Sequence, residues 1–278
     1  MTSRAEMAKE VLEIIQRGSY VAPSGQIVDV RAAIDRAVAG TVLYRPDDFA
    51  GPPHTGVPGA PPAAVEITEE TTGAAGRRLV EVEGVERVVA LNFASAKNPG
   101  GGFLGGAKAQ EEDLAIASAL YACLITQPVY YQTHRASRSM LYTDHMIYSP
   151  DVPFFRGEDG RLLESPFLLS IITSAAPNAG EVARHHDDEA TQIDDTLRRR
   201  GARVLELAKR QGHRCLVLGA WGCGVFRNIP EQVAEAFAPV TGEEFRGAFD
   251  RVVFAVYDTK QGQPNLRAFT WQFGRRVG

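Results

Sequence analysis

The chain has 278 residues, of which 44% are hydrophobic and 23% are charged, and its formal net charge is -4. This is ordinary globular composition with enough length for a large core. No run of eighteen apolar residues occurs and the first twenty residues mix acids with bases, so we expect no membrane helix, no signal peptide and a cytoplasmic protein. The acidic balance argues against a DNA duplex as partner, whereas a small anionic ligand fits a local patch of positive charge.

The pattern of the three cysteines argues against a disulfide framework and against a zinc site. Cys123, Cys215 and Cys223 form neither a CxxC pair nor an even set, so we expect reduced thiols and no zinc site. A cluster of sequence HHDDE at 185–189 could suggest a metal, but adjacent histidines in a polar run before a helix are more typical of a solvated cap. We therefore expect no metal and no cofactor.

The N-terminal part of the chain reads as two helices followed by an irregular stretch. Apolar residues at helical spacing predict a helix over residues 4–17 and a shorter one over 30–38. Residues 45–62 are so rich in Pro and Gly that we predict a linker or surface loop there. On this basis residues 1–62 form an N-terminal helical extension with its loop, and residues 63–278 form the catalytic domain.

The rest of the chain alternates between short β-branched runs and helical stretches. Such runs are typical of strands buried on both faces, and alternation with helices predicts an α/β/α sandwich around a mixed, largely parallel sheet. Ligands of such sheets bind beyond the carboxyl ends of the strands. The predicted strands cover residues 65–68, 86–94, 167–175, 214–221 and 250–258, and the predicted helices cover 109–126, 187–211 and 230–237.

Two predicted strands end in glycine-rich loops. After the second strand, five glycines fall between residues 100 and 106, and the acids Glu111, Glu112 and Asp113 then open a helix. Glycines let a backbone approach a ligand and turn its amides inward, whereas acids at a helix start are also explained by the helix dipole alone. The later loop, 217–228, carries Gly219, Gly222 and Gly224, with Trp221 and Phe226 expected to supply flat apolar surface. This later loop is not a GxGxxG fingerprint, and there is no GxxxxGK[ST] phosphate loop.

These motifs resemble those of the poly(ADP-ribose) glycohydrolases, in particular their bacterial, macrodomain-type branch. The signature is GGG at 100–102 followed after seven residues by QEE at 110–112. The segments TEETTGAAGRRL at 68–79, SAAPN at 174–178 and GAWGCGVFRN at 219–228 follow the family order, and the resemblance covers about residues 64–270. It implies a macrodomain fold with an ADP-ribose cleft and release of ADP-ribose from the polymer's end.

The resemblance also implies a role for each matched residue. Glu112 becomes the acid-base residue, ionised Glu111 holds ribose hydroxyls, and Asn98 orients the distal ribose. Gln110 is counted with the substrate-binding residues. Gly100, Gly101 and Gly102 become the catalytic loop, and the diphosphate loop is formed by Gly219, Ala220, Trp221, Gly222, Cys223, Gly224, Val225 and Phe226, with Phe226 against the sugar. The expected partners are poly(ADP-ribose), ADP-ribose and ADP-ribosylated proteins.

Cleavage of a ribose-ribose bond needs a proton for the leaving oxygen and then an activated water. A helix N-terminus favours the ionised form of Glu112, so we expect Glu112 to act as an acid only beside the anionic substrate. Near the C-terminus, Phe269 is a candidate for packing near the adenine and Arg267 for reaching a polymer phosphate. The alternatives are an ADP-ribose-binding module without hydrolysis, a mono-ADP-ribose or O-acetyl-ADP-ribose hydrolase, and a metal-dependent nucleotide-sugar hydrolase. The paired acids of QEE argue against a module that only binds.

Overall fold

The computed structural model describes residues 3–50, 55–185 and 187–274. Nine strands are found in this part of the chain: β1 Ser19–Val21, β2 Ile27–Asp29, β3 Val42–Tyr44, β4 Ala64–Thr68, β5 Val88–Phe93, β6 Met146–Arg156, β7 Leu162–Ser174, β8 Cys215–Leu218 and β9 Arg251–Ala255. β1 and β2 pair as a small ribbon, and the other seven form one sheet in the order β3-β6-β7-β5-β8-β9-β4. β7, β5, β8, β9 and β4 run parallel, and β6 runs antiparallel between β3 and β7.

Helices cover both faces of the sheet. Their bounds are α1 Arg4–Arg17, α2 Arg31–Ala39, α3 Thr72–Arg77, α4 Gln110–Ala117, α5 Leu120–Leu124, α6 Pro128–Ala136, α7 Ala179–His185, α8 Ile193–Arg210, α9 Pro230–Ala236 and α10 Pro264–Phe273. Helices α1 to α6 pack on one core cluster, and α8, α9 and α10 pack on the other. Along β5, Val88 and Ala90 point into the first cluster and Val89 and Leu91 into the second. This alternation explains why the strand is apolar throughout, and it confirms the predicted three-layer α/β/α fold.

The residues before the boundary predicted between residues 62 and 63 are bonded to the residues after it. β3 lies before that boundary, yet it pairs with β6 at the edge of the main sheet. The irregular stretch is anchored as well, because the Val57 amide donates to the Arg246 carbonyl at 2.9 Å and the Gly247 amide donates to the Pro61 carbonyl at 3.2 Å. Residues 51–54 of the predicted linker lie outside the described residues.

The helix predicted over residues 109–126 is two helices. Ser118 is extended and forms an isolated antiparallel bridge to Phe154 in β6, which separates α4 from α5. The Ser118 hydroxyl donates to the Leu114 carbonyl at 2.7 Å and accepts from the Leu120 amide at 3.1 Å. At the break, this side chain therefore supplies the hydrogen bonds that backbone groups would make in a continuous helix. The break lets α4 point its N-terminus at the end of β5 while α5 follows the sheet.

Candidate active site

The two glycine loops lie at the same edge of the sheet. β5 ends at Phe93 opposite Ser174 of β7, and β8 ends beside Phe254 of β9. Parallel strands present their carboxyl ends together, so the first loop (residues 94–109) and the second loop (residues 219–229) flank one cleft. The sequence-predicted residues of both loops are thereby brought to one place.

Glu111 is buried and held at both carboxylate oxygens. Its Oε2 accepts from the Ser95 amide at 2.6 Å, its Oε1 accepts from Asn92 Nδ2 at 3.2 Å, and only 3% of the residue is exposed. Burial raises the pKa of Glu111 from 4.5 to about 8 and the charge of Glu112 adds to this, while the bonds from Ser95 and Asn92 lower it. In the free protein burial therefore favours the protonated form of Glu111 at neutral pH, whereas the ionised Glu111 expected from the sequence belongs to the substrate complex.

Glu112 lies beside Glu111 at the rim of the cleft. Its Oε1 accepts from the Gly102 amide at 2.9 Å, and 9% of the residue is exposed. Gly101 has a φ of +61°, and a Cβ built on it would overlap Glu112 Oε1 and lie 3.1 Å from Glu111 Oε2. The two carboxylates thus converge on the backbone at Gly101, where a side chain has no room.

The other residues of the first loop hold this arrangement. The Gly101 amide donates to the Asn98 carbonyl at 3.0 Å, and the Asn98 amide donates to Ser95 Oγ at 3.2 Å, which closes a tight turn with the Asn98 side chain exposed. The Gln110 side chain is fully engaged behind the acids. Its Oε1 accepts from the Phe93 amide at 2.8 Å and its Nε2 donates to the Leu91 carbonyl at 2.8 Å. Gln110 therefore fastens α4 to β5 and does not face the cleft, which corrects its predicted substrate contact.

The second loop has free backbone amides, and the Trp221 side chain beneath them is buried. Among the described residues, the amides of Gly222, Gly224, Val225 and Phe226 have no hydrogen-bond acceptor, and the Val225 side chain is 77% exposed. Trp221 corrects the expectation of flat apolar surface, because it is fully buried and its Nε1 donates to the Ser174 carbonyl at 2.9 Å. Free amides of this kind form a nest for an anion.

Comparison with known proteins agrees with this geometry. The family model described as the catalytic domain of microbial-type PARG matches residues 8–157. The crystal structure of poly(ADP-ribose) glycohydrolase from Thermomonospora curvata is 49% identical, with a TM-score of 0.89 and coverage of 97% of this chain and 99% of that chain. The enzyme from Deinococcus radiodurans in complex with ADP-ribose is 43% identical, with a TM-score of 0.80 and coverage of 87% and 97%. No curated protein matches the chain.

The chain belongs to the microbial-type poly(ADP-ribose) glycohydrolases. The prediction of this family is confirmed, and with it the prediction of a hydrolase. A second structure of the Thermomonospora curvata enzyme, bound to the inhibitor ADP-HPD, is 48% identical with a TM-score of 0.88.

An aromatic pair flanks the second loop of this glycohydrolase. The rings of Phe226 and Tyr142 lie 5.9 Å apart, and Tyr142 has a φ of +60°. Buried Arg200 fixes the turn, because its Nη2 donates to the Leu141 carbonyl at 3.0 Å and its Nε donates to Asp144 Oδ1 at 2.9 Å. Sequence reasoning missed Tyr142, since nothing in the surrounding polar segment distinguishes it from a surface residue.

The two C-terminal candidates lie in different surroundings. Phe269 is fully buried between Phe254 and Phe273, with ring centroids 5.1 and 6.3 Å away, so it belongs to the core and cannot pack against adenine. Arg267 is exposed on α10. Tyr257 was missed by the sequence reasoning. It lies two residues beyond the end of β9 and is 60% exposed, and an exposed aromatic just beyond a buried strand would have been the signal.

Within the described ranges, no group of three or more His, Cys, Asp or Glu residues could hold a metal ion. In the 185–189 cluster, His185 approaches Glu181 in α7, whereas His186 lies outside the described residues.

The cysteines are free and buried, and burial raises the pKa of Cys223 to about 12, so it is no nucleophile at neutral pH. No helix in the described part of the chain is long and apolar enough to cross a membrane.

Proposed function

We propose that Glu112 is the acid-base residue that cleaves the ribose-ribose bond and that ADP-ribose is released mainly from the polymer's end. The observation that carries this is the convergence of Glu111 and Glu112 on the backbone at Gly101 and Gly102. An acid pair beside an anion nest suits hydrolysis better than binding alone, because ADP-ribose is itself anionic and carboxylates repel it. The family membership supports the same reaction.

In the proposed reaction Glu112 gives up one proton and later takes one back. Glu112 donates its proton to the adenosine 2′ oxygen of the neighbouring unit while the bond from that oxygen to C1″ of the distal ribose breaks. Water then attacks C1″, Glu112 takes the water's proton, and the products are ADP-ribose and a polymer shortened by one unit. Glu111 holds a proton in the free site, and we propose that docking shifts it to Glu112, which leaves ionised Glu111 to accept ribose hydroxyls.

The ligand is proposed to lie along the carboxyl edge of the sheet. The amides of Gly224, Val225 and Phe226 donate hydrogen bonds to the diphosphate, Phe226 packs on the sugar and Asn98 orients the distal ribose beside Glu112. Gly100 and Gly102 complete the catalytic loop, and Gly219, Ala220, Gly222 and Cys223 shape the diphosphate loop. Tyr257, at the end of β9, replaces Phe269 as the residue that stacks on adenine. We propose a cytoplasmic location, which the three unpaired cysteines support.

The decisive experiment compares Glu112→Gln with Asp113→Asn. Asp113 lies in the same helical turn but pairs with Arg4 at 2.7 Å, so it is the matched control. With purified poly(ADP-ribose), Glu112→Gln should lose at least about a thousandfold in kcat while ADP-ribose binding by calorimetry persists. Asp113→Asn should keep near-normal turnover. Normal turnover by Glu112→Gln would exclude the assignment, and binding without any release by the unmodified protein would leave a binding module.

The balance between end and internal cleavage depends on what lies beyond the adenine. Arg267 is exposed on α10 and has no ion-pair partner among the described residues, so it is the candidate cation for a polymer phosphate on that side. Chromatography of early products should show a smaller share of oligomers for Arg267→Ala than for the unmodified enzyme. An unchanged product distribution would remove Arg267 from the site.

A further inference from the structure

The ring of Tyr142 connects the segment between α6 and β6 to the second loop. Its centroid lies 5.9 Å from that of Phe226 and 5.7 Å from that of His134 in α6. Tyr142 and Phe226 are both only partly buried, so the pair lies at the surface beside the second loop. Phe226 is the residue that we propose to pack on the sugar, and Tyr142 is therefore one contact away from the ligand.

The backbone holds Tyr142 in a conformation that residues with a side chain rarely adopt. Its φ of +60° lies in the left-handed region, which is unfavourable for any residue that carries a Cβ. The Leu141 and Tyr142 carbonyls both accept from Nη2 of Arg200, at 3.0 and 3.4 Å. A strained conformation persists only where the surrounding structure determines it, and such positions concentrate at functional sites.

Arg200 can hold this segment because it is itself fixed. It is fully buried, its Nε donates to Asp144 Oδ1 at 2.9 Å, and its Nη1 donates to the Ala175 carbonyl at 2.7 Å. Ala175 comes directly after β7, so one guanidinium group joins the Tyr142 segment to the carboxyl edge of the sheet. Apolar side chains of similar volume often replace a buried ion pair without loss of stability. Stability alone therefore does not explain why a buried arginine holds Tyr142 here.

The second loop is fixed through its backbone, but the Phe226 ring is not fixed in this way. The Phe226 carbonyl accepts from the Gly180 amide at 2.9 Å, and Asn228 Nδ2 donates to the Pro177 carbonyl at 2.9 Å. These bonds leave the Phe226 ring free to change its side-chain rotamer. The contact with the ring of Tyr142 restricts that change, because two packed aromatic rings favour a particular relative orientation.

We propose that Tyr142 is a positioning residue, which Arg200 holds in place and which keeps the ring of Phe226 packed on the distal ribose. This rests on the proposed function, because the contact between Phe226 and the sugar comes from it. The distal ribose must be fixed relative to Glu112 for the proton transfer, so a loosened Phe226 ring lowers the rate of cleavage more than it weakens binding. The proposed diphosphate and adenine contacts do not use this ring and persist without it.

The test removes the ring of Tyr142 and compares the effect with that of a tyrosine elsewhere. Tyr142→Ala keeps a Cβ and so the same backbone strain, whereas Tyr142→Phe keeps the ring and loses only the hydroxyl. The matched control is Tyr44→Ala on the edge strand β3. Tyr44 is also partly buried, and its ring lies 6.1 Å from that of Phe49 at an angle of 44°, close to the 48° between Tyr142 and Phe226.

The kinetics should separate positioning from stability. With poly(ADP-ribose), Tyr142→Ala should lower kcat about tenfold with little change in KM. Tyr142→Phe should keep near-normal kcat, and Tyr44→Ala should lower the melting temperature without changing kcat. All variants are assayed at a temperature at which circular dichroism shows them folded. Normal kcat for Tyr142→Ala would refute the inference, and so would an equal loss for Tyr142→Phe, because the hydroxyl would then act on the substrate directly.

A double-mutant cycle shows whether Tyr142 acts through Phe226. Phe226→Ala alone should lower kcat, and adding Tyr142→Ala to it should cause no further loss, because the ring that Tyr142 holds is already gone. Losses that multiply in the double variant would mean that the two residues act independently, which would contradict the inference.

Crystal structures with bound ADP-ribose keep the two proposals apart. If the unmodified protein released no ADP-ribose from the polymer, the proposed function would fail, and the structures alone would then test the role of Tyr142. The Phe226 ring should take one orientation in the unmodified protein and a different one, or several, in Tyr142→Ala. An unchanged Phe226 ring in Tyr142→Ala would overturn the inference.

Discussion

Replacing Glu111 with glutamine should make the protein more stable at pH 8 than the unmodified chain. The pKa of the folded state lies near 8 and that of the unfolded chain near 4.5. Below pH 4.5 both states are protonated. Between pH 4.5 and 8 the unfolded chain releases this proton while the folded protein keeps it, so the free energy of unfolding falls as pH rises. The loss is complete once the pH has passed through about 8.

The size of the effect follows from the distance between the two pKa values. A displacement from 4.5 to about 8 corresponds to roughly 5 kcal/mol. In a domain of this size 1 kcal/mol moves the melting temperature by about 2–4 °C, so the whole effect is on the order of 10–20 °C. A neutral glutamine mimics the protonated acid, and it removes the pH-dependent part of this loss.

The assay is thermal unfolding at half-unit steps from pH 4.5 to 8.5. Other groups titrate in this range, so the quantity of interest is the melting temperature of Glu111→Gln minus that of the unmodified protein. This difference should grow steadily with pH and level off above 8. For Asp113→Asn the difference should grow less, because burial raises the pKa of Asp113 too, yet its side chain is 42% exposed and pairs with Arg4. A difference that stays constant across the range would refute the claim that burial keeps Glu111 protonated.

Three further outcomes are expected. Gly101→Ala should lower kcat about a hundredfold because a methyl group displaces both carboxylates, whereas Gly84→Ala, with the same positive φ but open space, should cost only stability. Phe269→Leu should lower the melting temperature without changing KM, whereas Tyr257→Ala should raise KM and leave stability intact; the reverse pattern would restore Phe269 as the adenine contact. Activity should persist in EDTA. If EDTA abolished activity and added Mg²⁺ restored it, metal-free cleavage would be contradicted.

The sequence predicted the strands that are buried on both faces, because a continuous β-branched run has few other uses. It also located both loops of the cleft. It missed β6, where Pro150 and Pro153 look like strand breakers; the strand accommodates an irregular register between Ser149 and Val152. It missed β3 because three residues carry almost no periodic signal. Edge strands of this kind are specified by their partners rather than by their own residues.

Individual contacts at the site were harder to predict than its location. Phe269 and Tyr257 are both aromatic and lie close together in the chain, yet one is in the core and the other in solvent. Tyr257 lies in the irregular stretch after β9, whereas Phe269 lies on the face of α10 that packs on the core. Gln110 follows the same rule, because its position beside two acids suggests a ligand contact until its amide is seen bound to β5. Sequence motifs identify a site, and packing then assigns each side chain.

The protonation of Glu111 shows which of two opposing effects is larger at this helix start. The N-terminus of α4 favours an ionised carboxylate by about 0.3–1 kcal/mol. Roughly 5 kcal/mol is needed to bring the pKa up to about 8, so desolvation must outweigh the helix and the donors at Ser95 and Asn92 together. A substrate that brings ribose hydroxyls to Glu111 supplies the missing solvation, which favours its ionised form. The proton is then available to Glu112, so the same burial that destabilises the free protein keeps the acid ready for the polymer.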